Sequence, residues 1–279
     1  MRRLPALLLL VSLMATLSCR GMPFASRTKA LPFADATADE AASNQQLQFI
    51  CDFPLQAEDE LIRQLRTERD VIYSTLGLPA SEEKISVHLY RDEATYHEVL
   101  ARKFPMVPNR RAFFVEADMK LHVYAHWSDR VPEDLRHEVA HGYLHASVPA
   151  IPLWIDEGLA EYFEVPHSFA GMNRPHLQLL SDLIEHNGWQ PNLKALEALN
   201  SAGEMQQEHY AESWAWAYFM LNSTPDRHEL LTQYLLDLRE KGRTPPLSER
   251  LAALHVQPER TLKEFLVTLK AQQPAQRVD

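Results

Sequence analysis

The sequence predicts an α+β fold, with a small sheet first and a helical region after it. Three observations lead there. Two stretches in the first half read as strands: "KISVHLY" (Lys84–Tyr90) alternates apolar and polar residues, and "RAFFVEADMKLHVYAHW" (Arg111–Trp127) gives two strand-like runs around a turn. After Pro132 almost every segment instead repeats its apolar residues at helical spacing. The 279 residues include only 8 glycines and are rich in Leu, Ala and Glu, which favours helices over a barrel or sandwich.

Residues 1–19 read as an export signal. "MRR" gives a positive start, and "LPALLLLVSLMATL" is an apolar run too short and wrongly flanked for a membrane span. The protein is therefore expected to leave the cytoplasm for the bacterial periplasm or cell envelope. The run closes with "ATLSC", which resembles a bacterial lipoprotein signal and would attach the chain to a membrane through a lipidated Cys19. Thr16 and Leu17 depart from the usual residues there, and ordinary removal of the signal is the other reading. Residues 20–46, rich in Ala, Ser, Thr and Asp and without a period, read as a flexible linker. Residues 47–279 are expected to form one domain.

Within that domain "FICDF" around Cys51 reads as a short strand or loop holding a lone buried thiol. "AEDELIRQLRTERDVIYSTLGLP" is a helix, with Leu61, Ile62, Leu65, Val71, Ile72 and Leu76 on its apolar side and Gly77 and Pro79 closing it. A strand over 84–90 and a helix in "DEATYHEVLARKF" follow, then two strands around a turn near Ala117 and Asp118. Helices are predicted over about 132–147, 153–164, 175–187, 192–199, 208–222, 226–241, 246–254 and 258–271, with proline and Asn/Gly clusters at most joints. The net charge of −10, with no basic stripe, argues against a nucleic-acid partner.

The chemistry gathers at "HEVAH", His137–His141. Pro132, Glu133 and Asp134 suit the first turn of a helix that carries it. On that helix His137 and His141 lie one turn apart on one face and can share a zinc ion. Glu138 beside them can accept the proton of a water that the metal activates. A catalytic zinc ion usually has three protein ligands and an open position. Downstream, "IPLWIDEGLAEYFE" (Ile151–Glu164) places Glu157 on a second helix as a candidate third ligand. Glu161 and Glu164 follow at one and two turns, where one of them can fix the ring of a ligating histidine from behind. A solvated helix face is the alternative reading for both.

"HEVAH" followed by "WIDEGLAEYFE" resembles the gluzincin metallopeptidases, both thermolysin-like and alanyl-aminopeptidase-like, and most of all the bacterial peptidase MA-like proteins. Trp154, Glu157, Gly158, Ala160 and Tyr162 carry the second element. The resemblance covers 137–164, and 84–222 in outline. It implies a zincin-like metallopeptidase fold, with a small N-terminal sheet lobe and a helical C-terminal lobe, and Glu157 as the third zinc ligand. In "EHYAESWAWAYFMLN" it implies Tyr210 as the hydroxyl facing the tetrahedral intermediate; the alternative is that Tyr210 starts a helix and packs with Trp214 and Trp216. It also makes "KLHVYAHW" (Lys120–Trp127) the edge strand on which an extended peptide would lie.

Two departures limit the resemblance. The Gly-x-Met-Glu-Asn element that grips a substrate amino terminus in aminopeptidases is absent, so aminopeptidase action is unsupported. The third histidine of the metzincins would fall at Ser147. His145, one turn beyond His141, reads as a packed or rim histidine, and His122 and His126 as cleft-lining or structural. The expected activity is zinc-dependent hydrolysis of a peptide or protein substrate outside the cytoplasm. A zinc hydrolase of another amide is one alternative, and an inactive zincin-fold envelope binding or scaffold protein is another.

Overall fold

The computed structural model describes residues 46–55, 60–105 and 110–273. The expected export signal, Cys19 and the linker up to position 45 lie outside the described residues. Gln46, expected to end the linker, is buried, and its carbonyl accepts from Ile85 N at 2.9 Å.

The described residues form an α+β fold with one small sheet and many helices. Four strands, β1 (Leu47–Cys51), β2 (Ile85–Tyr90), β3 (Ala112–Ala117) and β4 (Lys120–His126), lie in the order β1-β2-β4-β3. β1, β2 and β4 are parallel, and β3 runs antiparallel to β4 at one edge. Parallel neighbours need crossovers, and helices supply them. These are α1 (Glu60–Leu76) between β1 and β2, and α2 (Glu93–Lys103) between β2 and the β3–β4 hairpin. Asp118 and Met119 turn that hairpin with φ of 53° and 59°, the left-handed pair that matches strand twist.

Alternation divides the two faces of the sheet. Ile85, Val87, Leu89, Phe114, Leu121, Val123 and Ala125 join the main core with α1 and with α3 (Val131–Ser147). Phe113, Val115 and Tyr124 face the other way, onto Tyr96 and Leu100 of α2. Gly142 lets α3 come close to the sheet, because a Cβ there would sit 3.0 Å from the Ile85 side chain. The remaining helices are α4 (Leu153–Phe163), α5 (Arg174–Asn187), α6 (Leu193–Glu197), α7 (Gln207–Asn222), α8 (Pro225–Lys241), α9 (Leu247–Leu254) and α10 (Pro258–Gln272). α4 packs chiefly against α7, and one buried cluster continues from Leu47 to Leu266. No helix of the described residues is long and apolar enough to cross a membrane.

Three expectations are revised here. β4, expected to be the edge strand, is internal, because β2 pairs with one of its sides and β3 with the other; β3 is the edge on that side and β1 the opposite edge. His122 and His126 project from the α2 side of the sheet rather than toward α3. His122 Nδ1 lies 3.3 Å from His88 Nε2, and the ring of His126 lies 5.3 Å from that of Tyr96. Cys51, expected to be buried, is half-buried in β1 and carries a free thiol.

Candidate metal centre

α3 begins where the sequence places it, with Pro132 in its first turn and Glu133 and Asp134 beside it. Its last three turns are buried against the sheet and α4. The helix stops at Val148, whose N–H reaches Leu144 O at 2.7 Å, and Pro152 starts α4 five residues after Ser147. So short a connection folds α4 back across α3 and brings Glu157 against His137 and His141.

The three side chains converge. His137 Nε2 and His141 Nε2 are 3.2 Å apart. Glu157 Oε2 lies 3.6 Å from the first and 3.7 Å from the second. Four-coordinate zinc with bonds of about 2.0–2.1 Å holds its ligand atoms about 3.3–3.4 Å apart, so this triangle matches one face of such a tetrahedron. Both oxygens of Glu157 are buried without a hydrogen-bond partner. A buried carboxylate left in that state is costly unless a cation meets it. The donor set therefore fits a zinc ion in both chemistry and spacing.

Each histidine is held from behind by its Nδ1. His137 Nδ1 lies 2.9 Å from Glu164 Oε2. His141 Nδ1 lies 3.0 Å from Asp156 Oδ2, a close ionic contact rather than an aligned hydrogen bond. A carboxylate at Nδ1 takes the proton side of the ring and leaves the Nε2 lone pair toward Glu157. Glu164 thus stands where the sequence placed a supporting carboxylate. Glu161 stands one step further out, accepting from Asn173 Nδ2 at 3.2 Å and contacting His176 Nε2 at 2.7 Å. Asn173 also donates to Glu164 Oε1 at 2.9 Å through Nδ2 and caps α5 through Oδ1, which accepts from His176 N. The guanidinium of Arg136 donates to the Glu164 carbonyl.

Electrostatics follow this layout. Burial disfavours charge on His137, but Glu157 and Glu164 outweigh it and raise the imidazole well above its ordinary value. Burial also opposes charge on Asp156, yet His141 and His145 hold its carboxyl well below the usual range. Burial and the charge of Glu161 raise Glu164, while His176 holds Glu161 low against its own burial. Burial lifts the Glu138 carboxyl above its usual value. Glu138 is 4% exposed, and its Oε2 has no hydrogen-bond partner.

His145 is packed rather than on a rim. It contacts Asp156 Oδ2 at 3.1 Å, and its ring lies 4.9 Å from Phe114 of β3. Tyr210 is buried in the first turn of α7. It shares with Glu138, Glu157 and Tyr96 the electrostatic surroundings of Arg110, the residue two before β3. Trp214 and Trp216 are buried further along the same helix. Gly158, next to Glu157, allows the close approach of α4 and α7, since a Cβ there would lie 2.3 Å from Ser213 O.

No protein-family model matches the chain. No curated protein matches it either. The likeness to gluzincins therefore rests on the two sequence motifs.

Sequence reasoning missed Asp156, Asn173, Arg110 and Tyr96. Asp156 carried one usable signal. It stands immediately before Glu157, so a helix that aims Glu157 at the histidines brings Asp156 close to the same pair. The others come from distant segments and leave no spacing signature.

Proposed function

We propose that the protein is a zinc-dependent metallopeptidase of gluzincin type that hydrolyses peptide bonds outside the cytoplasm. The observation that carries this reading is the buried triangle of His137 Nε2, His141 Nε2 and Glu157 Oε2, with edges of 3.2, 3.6 and 3.7 Å. Those residues would hold the ion. A zinc ion bound there would bring the pKa of water close to neutrality and polarise the substrate carbonyl.

This chain's own groups supply the rest. Glu138 accepts a proton from the attacking water as its oxygen bonds to the carbonyl carbon. It then passes that proton to the amide nitrogen as the C–N bond breaks, leaving a carboxylic acid and an amine. Desolvation suits Glu138 to this exchange, because it raises the carboxyl above its ordinary value and so makes it a better proton acceptor. The Tyr210 hydroxyl donates to the developing oxyanion. The outer edge of β3 offers backbone groups to an extended peptide. Glu164 and Asp156 keep both imidazoles in the ligating tautomer.

The buried Glu138 beside the triangle favours this reading over a binding or scaffold role, which gives that carboxylate no task. Export is supported by the signal-like N-terminal sequence, and the "ATLSC" ending supports a lipid anchor at Cys19.

Glu138→Gln tests the mechanism. Zinc content should stay at the wild-type level while peptide hydrolysis falls by about a thousandfold or more. Hydrolysis retained in the zinc-loaded variant would remove Glu138 from the mechanism.

A further inference from the structure

Two neighbouring arginines enter β3 and meet different surroundings. Arg111 is clamped: its Nε and Nη2 donate to Asp134 Oδ2 and Oδ1 at 2.9 and 2.7 Å. Its carbonyl also accepts from His126 N at 3.4 Å. That clamp ties the start of β3 to the first turn of α3, one turn ahead of Glu138. Arg110 has no such partner. Its Nε and Nη1 are buried and make no hydrogen bond, although the side chain as a whole is only half-buried.

The groups that act most strongly on the Arg110 guanidinium are Glu138, then Tyr210, Glu157 and Tyr96. Glu138 in turn feels Arg110 among its charged neighbours. The Tyr96 hydroxyl in the same surroundings is also buried without a partner. A guanidinium stays charged and has five N–H donors to satisfy. Burying part of it unpaired costs stability. Orphaned donors beside a reacting centre are the mark of a ligand that completes them.

Charge points to the kind of ligand: buried guanidinium N–H groups without a partner call for an anionic acceptor. The β3 edge that would carry an extended peptide starts two residues after Arg110, so the guanidinium lies at one end of that track.

We propose that Arg110 is a specificity-determining residue that anchors a carboxylate of the substrate, either the free C-terminus or an acidic side chain close to the cleaved bond. This rests on the metallopeptidase reading. Guanidinium and carboxylate make paired, charge-assisted hydrogen bonds, which give both affinity and register.

The test uses the full chain loaded with zinc and carrying Glu138→Gln, so that peptides bind without turnover. Pools of random pentapeptides are offered with a free or an amidated C-terminus, each with either one Glu or one Gln. Binding is read by equilibrium dialysis and mass spectrometry. The carboxylate-bearing pools should bind about tenfold more tightly than the neutral pool. The free-terminus pool gains if the anchor takes a chain end, and the Glu pool if it takes a side chain.

Adding Arg110→Ala should abolish that preference, and Arg110→Lys should retain part of it, with zinc content unchanged in both. Carboxylates also ligate zinc, so a preference that survives Arg110→Ala overturns the proposal. Equal binding of all pools to the Arg110 protein overturns it without any reliance on a variant's folding. Separately, zinc-loaded wild type that cleaves none of the pools counts against the peptidase reading even where the carboxylate preference holds. A chain that takes up no zinc overturns both.

Discussion

Glu164 and Asp156 do the same task for different histidines, and they do it in different electrical states. Glu164 is raised by burial and by Glu161, and it is held by Asn173 Nδ2 at 2.9 Å. Asp156 is held low by His141 and His145, which flank it. In the proposed zinc site each fixes one imidazole, so the loss of either is expected to loosen the ion rather than abolish its binding. Glu164→Ala should weaken zinc affinity by about 10–100-fold, as loss of a supporting carboxylate does elsewhere. Competition against a chromophoric chelator measures it, and unchanged affinity would show that Glu164 does not orient His137. Zinc uptake must also displace the proton that the carboxylates draw onto His137, so affinity should fall as the solution is acidified.

At the scale of elements, two junctions hold the fold around the site. The first is α4 against α7. A methyl group at Gly158 would meet Ser213 O at 2.3 Å and Ser213 C at 2.7 Å, and neither backbone atom can turn aside. Gly158→Ala should destabilise the fold by roughly 1–3 kcal/mol, the usual cost of forced overpacking, and thermal denaturation measures it. An unshifted melting temperature would mean that the two helices part without cost. The second junction is the face of the sheet turned away from the site. There burial, helped by His122 and Lys103, depresses His88 to about 4. The unfolded chain takes up that proton near pH 6.5, so the stability due to neutral His88 is complete above that pH. It is lost progressively as pH falls from 6.5 toward 4. His88→Phe should flatten the decline in melting temperature across that window, and an identical decline would assign it to other groups.

At the scale of the whole molecule, local periodicity and local spacing were legible, and tertiary adjacency was not. α3 was readable as 132–147 and is found at Val131–Ser147, because Pro132 and the acidic residues after it mark a helix start without ambiguity. His137, His141 and Glu157 were readable because one helical turn and one short connection suffice to bring them together. The edge strand was misplaced, because β3 and β4 both read as strands and only the pairing of β2 with β4 decides which of them is internal. Asn173 and Arg110 were invisible for a related reason. Each reaches the site from a segment whose position only the packed fold defines.

In the proposed function these elements assemble one zinc site. Metal content by mass spectrometry on protein refolded with zinc and then dialysed tests it most directly, with Glu157→Ala measured alongside. One zinc per chain is expected in the wild type and a greatly reduced content in the variant. A wild-type chain that retains no zinc after loading, or a variant that holds it equally well, would rule out the three-ligand site.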